Sequence, residues 1–194
     1  MKPLAAVIAL SLTTSALLTA CSASQDAVPG SIPELVTAAE QDDLQLLDAL
    51  ISDNHQVDVR DACQWTPLMK AALHGHLESA RRLLRAGAHT ELGDRGGYTA
   101  LMLAASNNHT ELVALLLAHG ANPNAIEQTH GWSALIWAAK RGHTATVRLL
   151  LDANADPSPV DDRGRSALVW ARENSHADIV ALLEPIVAMT ASGQ

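Results

Sequence analysis

Histidine and cysteine are the side chains here that could do chemistry, and the sequence holds nine of the first and two of the second. A neutral imidazole serves as general base or metal ligand, and a thiolate serves as nucleophile or ligand. Four of the histidines, His76, His109, His143 and His176, recur 33 or 34 residues apart. Such a row is expected to repeat one structural hydrogen bond at successive helix starts. His74 and His130 stand outside it, His89 and His119 fall near expected helix ends, and His55 falls in an early loop. None has a close ligand spacing to Cys or carboxylate, and neither Cys-x-x-Cys nor His-Glu-x-x-His occurs. Cys63 is expected at a loop tip, unpaired. No catalytic residue, metal ligand or cofactor is assigned, so the chain reads as no enzyme. An enzyme or metal protein using His74, His130 and Cys63 is the alternative, and only the fold could assemble it.

The elements that must position these residues show in the repeat. Trp65-Thr66-Pro67-Leu68-Met69-Lys70-Ala71-Ala72 returns as Tyr98-Thr99-Ala100-Leu101-Met102-Leu103-Ala104-Ala105. It returns again from Trp132 to Ala139 and from Arg165 to Arg172. Each copy is followed by a second block, Gly75-His76, Asn108-His109, Gly142-His143 or Ser175-His176. Three then reach a leucine-rich end: Leu83-Leu84-Arg85-Ala86-Gly87, Leu115-Leu116-Leu117-Ala118-His119-Gly120 and Leu149-Leu150-Leu151-Asp152-Ala153-Asn154. Thr66, Thr99, Ser133 and Ser166 are placed to cap helix N-termini, and Pro67 suits the first helical position, which needs no N–H. Gly87, Gly120 and Asn154 stand where a helix ends in a left-handed residue. Each unit therefore reads as helix, turn, helix and hairpin-like loop.

This register closely resembles the ankyrin repeat family, which implies an all-α solenoid of stacked helix-turn-helix units joined by β-hairpin-like loops. Five repeats are expected, at about 31–60, 61–93, 94–126, 127–160 and 161–185, with a tail over 186–194. The first repeat lacks the Gly-His block, and its Asp42, Asp43, Asp48 and Asp53 suit the water-facing side of a terminal cap. The last is expected to stop at Glu184-Pro185.

Residues 1–20 form a different segment, with one cation at Lys2 and an apolar run from Leu4 to Leu18. Such a run is a secretion signal, short of the roughly 20 apolar residues of a comfortable span. Leu18-Thr19-Ala20-Cys21 resembles the lipobox of bacterial lipoproteins, which implies cleavage before Cys21 and lipid on its thiol. Ser22 after it resembles the pattern sorted to the outer membrane. Residues 21–30 then act as a short tether that holds the globule near the membrane, facing the periplasm. With Cys21 acylated, Cys63 would have no partner within the chain.

A net charge of -8 argues against a nucleic-acid binder, because phosphate contacts need clustered Lys and Arg. A protein partner is the expectation. The family resemblance implies gripping by hairpin tips and first-helix surfaces, which here carry Trp65, Arg95, Tyr98, His130, Trp132, Lys140, Arg141, Arg163 and Arg165. One repeat position reads Trp65, Tyr98, Trp132 and Arg165, the residue types of interface hot spots, or else an inter-repeat packing row. The face is cationic although the body is acidic, so the expected partner is an envelope protein with an acidic patch. An accessory of another envelope protein and an inhibitor or immunity protein against a toxic enzyme both fit. Aromatic residues are otherwise scarce, and Trp137 and Trp170 are expected in the core.

Overall fold

The computed structural model describes residues 33–53 and 56–192. Among them are ten helices: α1 Glu34–Gln41, α2 Leu44–Asp53, α3 Pro67–His74, α4 Leu77–Arg85, α5 Ala100–Ser106, α6 Thr110–Ala118, α7 Ala134–Arg141, α8 Thr144–Asp152, α9 Ala167–Glu173 and α10 Ala177–Ser192. They form five pairs. The first helices α1, α3, α5, α7 and α9 stack side by side in chain order, and the second helices stack behind them less closely. Paired alanines cause the difference: Ala38-Ala39, Ala71-Ala72, Ala104-Ala105 and Ala138-Ala139 are all fully buried, so first-helix backbones meet with only methyl groups between them. Leucines of the second helices, Leu47, Leu83, Leu116 and Leu150, fill the layer between the two rows.

Local chemistry sets the helix boundaries. The Thr66, Thr99, Ser133 and Ser166 hydroxyls accept from the backbone N–H groups of Met69, Met102, Ile136 and Val169 at 3.2–3.4 Å. Each such cap stabilises its helix by about 1 kcal/mol. Gly87, Gly120 and Asn154 have φ of 92°, 85° and 62°, the left-handed stop expected of them. Between pairs the chain makes hairpins closed by single antiparallel bridges, Gly93 to Thr99, Ile126 to Ser133 and Val160 to Ser166. No strand forms among the described residues.

Two polar ladders hold neighbouring repeats in register. Nε2 of His76, His109, His143 and His176 lies 3.1 Å from the carbonyl oxygen of Glu40, Leu73, Ser106 and Lys140 respectively. These rings therefore do more than begin their own helix, because each satisfies a carbonyl at the end of the preceding repeat's first helix. In the second ladder Asp58, Glu91 and Asn124 accept the backbone N–H of His89, Asn122 and Asp156 in the following repeat.

The end repeats add contacts beyond those legible in the sequence. Asp42 accepts the Ser79 hydroxyl at 2.6 Å, and Asp48 pairs with Arg82. Both residues are exposed, as expected of a terminal cap, and their carboxylates also reach donors on α4 of the second repeat. At the other end, α10 does not stop at Pro185 but continues to Ser192. A proline inside a helix loses one N–H donor and crowds the preceding turn, and this helix tolerates it at that one position.

Candidate protein-binding face

The hairpins are built around one acidic residue per repeat, Asp61, Asp94, Glu127 and Asp161. Asp61 Oδ1 accepts the N–H groups of Cys63 and Trp65, and Asp94 Oδ1 accepts those of Gly96 and Tyr98. Asp161 Oδ1 does the same for Arg163 and Arg165, at 2.9 and 2.8 Å. The hairpin at Glu127 is one residue longer, and there a longer side chain stands in the same place. Its carboxylate, fully buried, accepts Thr129 N–H on one oxygen and those of His130 and Trp132 on the other. One extra methylene matches one extra residue.

These acids orient the row Trp65, Tyr98, Trp132 and Arg165, whose members have different surroundings. Trp132 is 6% exposed. Its ring meets Trp137 and Trp170 edge-on, with centroids 4.5 and 5.4 Å away, and His130 stacks on it at 4.8 Å. Asp161 Oδ2 accepts the indole N–H groups of Trp132 and Trp170, at 3.2 and 3.0 Å, and also the Arg165 guanidinium. Burial pushes the Asp161 carboxyl up, but the bonds from Arg165, Arg163 and Trp132 overcome that and hold it well below the usual carboxylate range. Arg165 lies 3.7 Å over the Trp170 ring and 3.8 Å from Glu173. Trp65 and Tyr98 are half-buried. Burial, with Glu127 nearby, pushes the Tyr98 phenol up to about 12.

Lys140, at the end of α7, sends its ammonium over this cluster, 4.1 Å from the Trp132 centroid and 4.3 Å from that of Trp170. Burial lowers its pKa, as do the nearby Arg141, Arg165 and Arg163 charges, while Asp161 opposes them. Arg95, Arg141 and Arg163 are exposed on the same side, the first and last at hairpin tips and the second at the end of α7.

The sequence model described as Ankyrin repeats (3 copies) matches residues 35–127 and 124–187. The chain belongs to the ankyrin repeat family. No curated protein matches it in sequence. Ankyrin stacks are protein-interaction modules, typically without enzymatic activity, and the all-helical solenoid of this chain is of that kind.

Within this ankyrin stack the expected gripping row is corrected at two places. Trp132 is a core residue, because two neighbouring indoles and the Asp161 carboxylate enclose it. Arg165 is held by Asp161 and Trp170, so its charge serves the hairpin. Trp137 and Trp170 are buried as expected, at 4% and 8% exposure. Sequence reasoning missed the acids, although they precede the aromatic row by four residues, and by five where the loop is longer. That matched spacing was the available signal.

The alternative chemistry finds its residues apart. His130 lies two repeats beyond His74 and Cys63. His74 is exposed, 3.7 Å from Glu40, with its pKa lowered by burial against the pull of that carboxylate. His89 is paired with Asp58 at 2.5 Å, and His119 is exposed. His55 and Cys21 lie outside the described residues. Among the described residues no group of three His, Cys, Asp or Glu is arranged to hold a metal, and no helix is long and apolar enough to cross a membrane. Cys63 is disulfide-bonded, which corrects the expectation of an unpaired thiol.

Proposed function

We propose that this ankyrin protein works in the bacterial envelope, tethered by lipid on Cys21, and binds an acidic partner protein through its hairpin tips and first-helix ends. The observation that supports the binding reading is a charge inversion. Arg95, Arg141 and Arg163 stand exposed with Lys140 on one side of a chain whose net charge is -8. A cationic face on an acidic body orients an acidic partner during encounter. The tether rests on the Leu18-Thr19-Ala20-Cys21 sequence and on the apolar run before it. An accessory of an envelope enzyme and an inhibitor of a toxic one remain two versions of the same binding reading.

Cross-linking in intact cells from a photoreactive residue at position 95 or 163 tests the face. One partner should be trapped at both positions, and Arg141→Glu with Arg163→Glu should abolish the trapping. An undiminished cross-link in the charge-reversed protein would refute the face. Cys21→Ala should move the protein from the membrane fraction to the soluble one; continued sedimentation with membranes would refute the tether.

A further inference from the structure

The indole cluster is short of hydrogen-bond acceptors. Asp161 supplies one carboxylate, and it is fully used: Oδ1 takes two backbone N–H groups, and Oδ2 takes two indoles and the Arg165 guanidinium. The donors exceed this supply. Trp137 is 4% exposed, and its Nε1–H is buried with no partner. The Lys140 ammonium brings three more N–H groups. It rests on two indole faces, and no protein acceptor reaches its Nζ among the described residues. Three arginines stand close enough to raise the local potential further.

The same chain shows a lysine over an indole in its completed form. Lys70 Nζ lies 5.1 Å from the Trp65 centroid, and there Glu40 accepts from it at 3.0 Å. Around Lys140 the cation and the rings are present, but no carboxylate accepts from the ammonium among the described residues, and the repeat position that Glu40 holds is taken by Lys140 itself. A partly buried ammonium gains from a charged acceptor, and the exposed Arg141 and Arg163 would flank the acceptor as it arrived.

We propose that Lys140, held between Trp132 and Trp170, is a receptor for a single carboxylate of an acidic segment on the partner protein. This rests on the binding reading above and names its central contact. A protein source is favoured over a free anion because the exposed Arg141 and Arg163, on two different elements, add further cationic charge beside Lys140.

The test is a titration of the full-length chain, labelled with nitrogen-15, with a hexaglutamate peptide, a hexaglutamine peptide and acetate, following the four indole N–H signals. Hexaglutamate should shift the Trp132, Trp137 and Trp170 signals and leave Trp65, whose lysine is already satisfied, in place. Hexaglutamine should shift none. Lys140→Met should weaken hexaglutamate binding about tenfold, the loss of one charged hydrogen bond, and Lys140→Arg should retain most of it. Static signals, equal shifts of all four, or unchanged affinity in Lys140→Met would overturn the proposal. Acetate binding as tightly as the peptide would overturn its protein source. If the peptide leaves the signals in place while charge reversal at Arg141 and Arg163 still abolishes the cellular cross-link, the receptor is refuted and the binding face stands.

Discussion

Asp161→Asn is the substitution from which the structure predicts the largest polar effect. The Asp161 side chain is fully buried. The amide keeps one oxygen for the Arg163 and Arg165 N–H groups, but its NH2 replaces the oxygen that accepts from Trp132, Trp170 and Arg165. Donors then face donors, and the Arg165 guanidinium loses its buried counter-charge. Removing one partner of such a pair costs about 3–5 kcal/mol. Asp94→Asn is the control, because Asp94 accepts only the N–H groups of Gly96 and Tyr98, which an amide oxygen can still do. That change should cost about 1 kcal/mol. Urea unfolding followed by tryptophan fluorescence gives both numbers and the difference between them. A loss below about 1.5 kcal/mol for Asp161→Asn, or one equal to the control, would refute the claim that the indoles and guanidinium depend on this carboxylate.

The acid dependence has a fixed sign. The native carboxyl is held below its unfolded value, so the native state binds fewer protons there than the unfolded state. Its stabilisation is complete above the unfolded pKa near 3.9, and it is lost as pH falls from there through the lowered native value. The advantage of the wild type over Asp161→Asn should therefore be constant from neutral pH to about 4.5 and shrink below that. An advantage that persisted unchanged at pH 2.5 would contradict the assignment.

Three further outcomes follow from particular contacts. Glu127→Asp should cost about 1–3 kcal/mol in urea unfolding, because the shorter acid cannot span the longer hairpin to the N–H groups of Thr129, His130 and Trp132. Burial lowers the His143 pKa against the pull of the Ser106 carbonyl, so this ring stabilises above its unfolded pKa and the contribution is lost as pH falls through the lowered native value. His143→Gln should accordingly flatten the stability profile between about pH 7 and 5, measured as thermal midpoints across that range. Gly142→Ala, with φ at 80° and an added Cβ 2.7 Å from the His176 ring, should lower stability by about 1–2 kcal/mol and disturb the last repeat first, which amide exchange would show.

The parts legible in the sequence were those set by local chemistry. Thr66, Thr99, Ser133 and Ser166 each cap a helix ahead of an apolar turn, and Gly87, Gly120 and Asn154 end helices, so these signals mark four of the five helix pairs and the repeat period gives the first. The alanine pairs likewise declared which helices approach closely. What failed was the inference from residue type to exposure. Trp132 has the type and the register of an interface anchor, yet its burial depends on Trp137, Trp170 and Asp161, which the fold brings in from five to thirty-eight residues away. Arg165 has the type and register of a free cation, yet Asp161, four residues earlier, holds it. Asp42 and Asp48 are solvated as expected, but their additional partners Ser79 and Arg82 belong to the next repeat and so were not legible. In a solenoid each repeat completes its neighbour, so a residue's environment is written about one period away from the residue itself.

The two cysteines show the same interdependence and decide between two pictures of the N-terminus. Acylation at Cys21 forms a thioether from its sulfur, and a disulfide to Cys63 would use that same sulfur, so the two fates exclude each other in one molecule. Cys63 is disulfide-bonded, and the sequence contains only one other cysteine. If the lipid is present, the sulfur of Cys21 is unavailable to Cys63, and a disulfide of Cys63 would then need a sulfur from another molecule. Cys63 sits at a hairpin tip, two residues from Trp65, on the side where Arg95 and Arg163 stand exposed, so a bond to the partner would use the binding face and not compete with it. Membrane-extracted protein run without and with reductant tells these apart. An acylated chain whose apparent mass falls on reduction joins the lipid to an intermolecular bond, whereas an unacylated chain of unchanged mass, with both thiols blocked until reduction, removes the lipid tether.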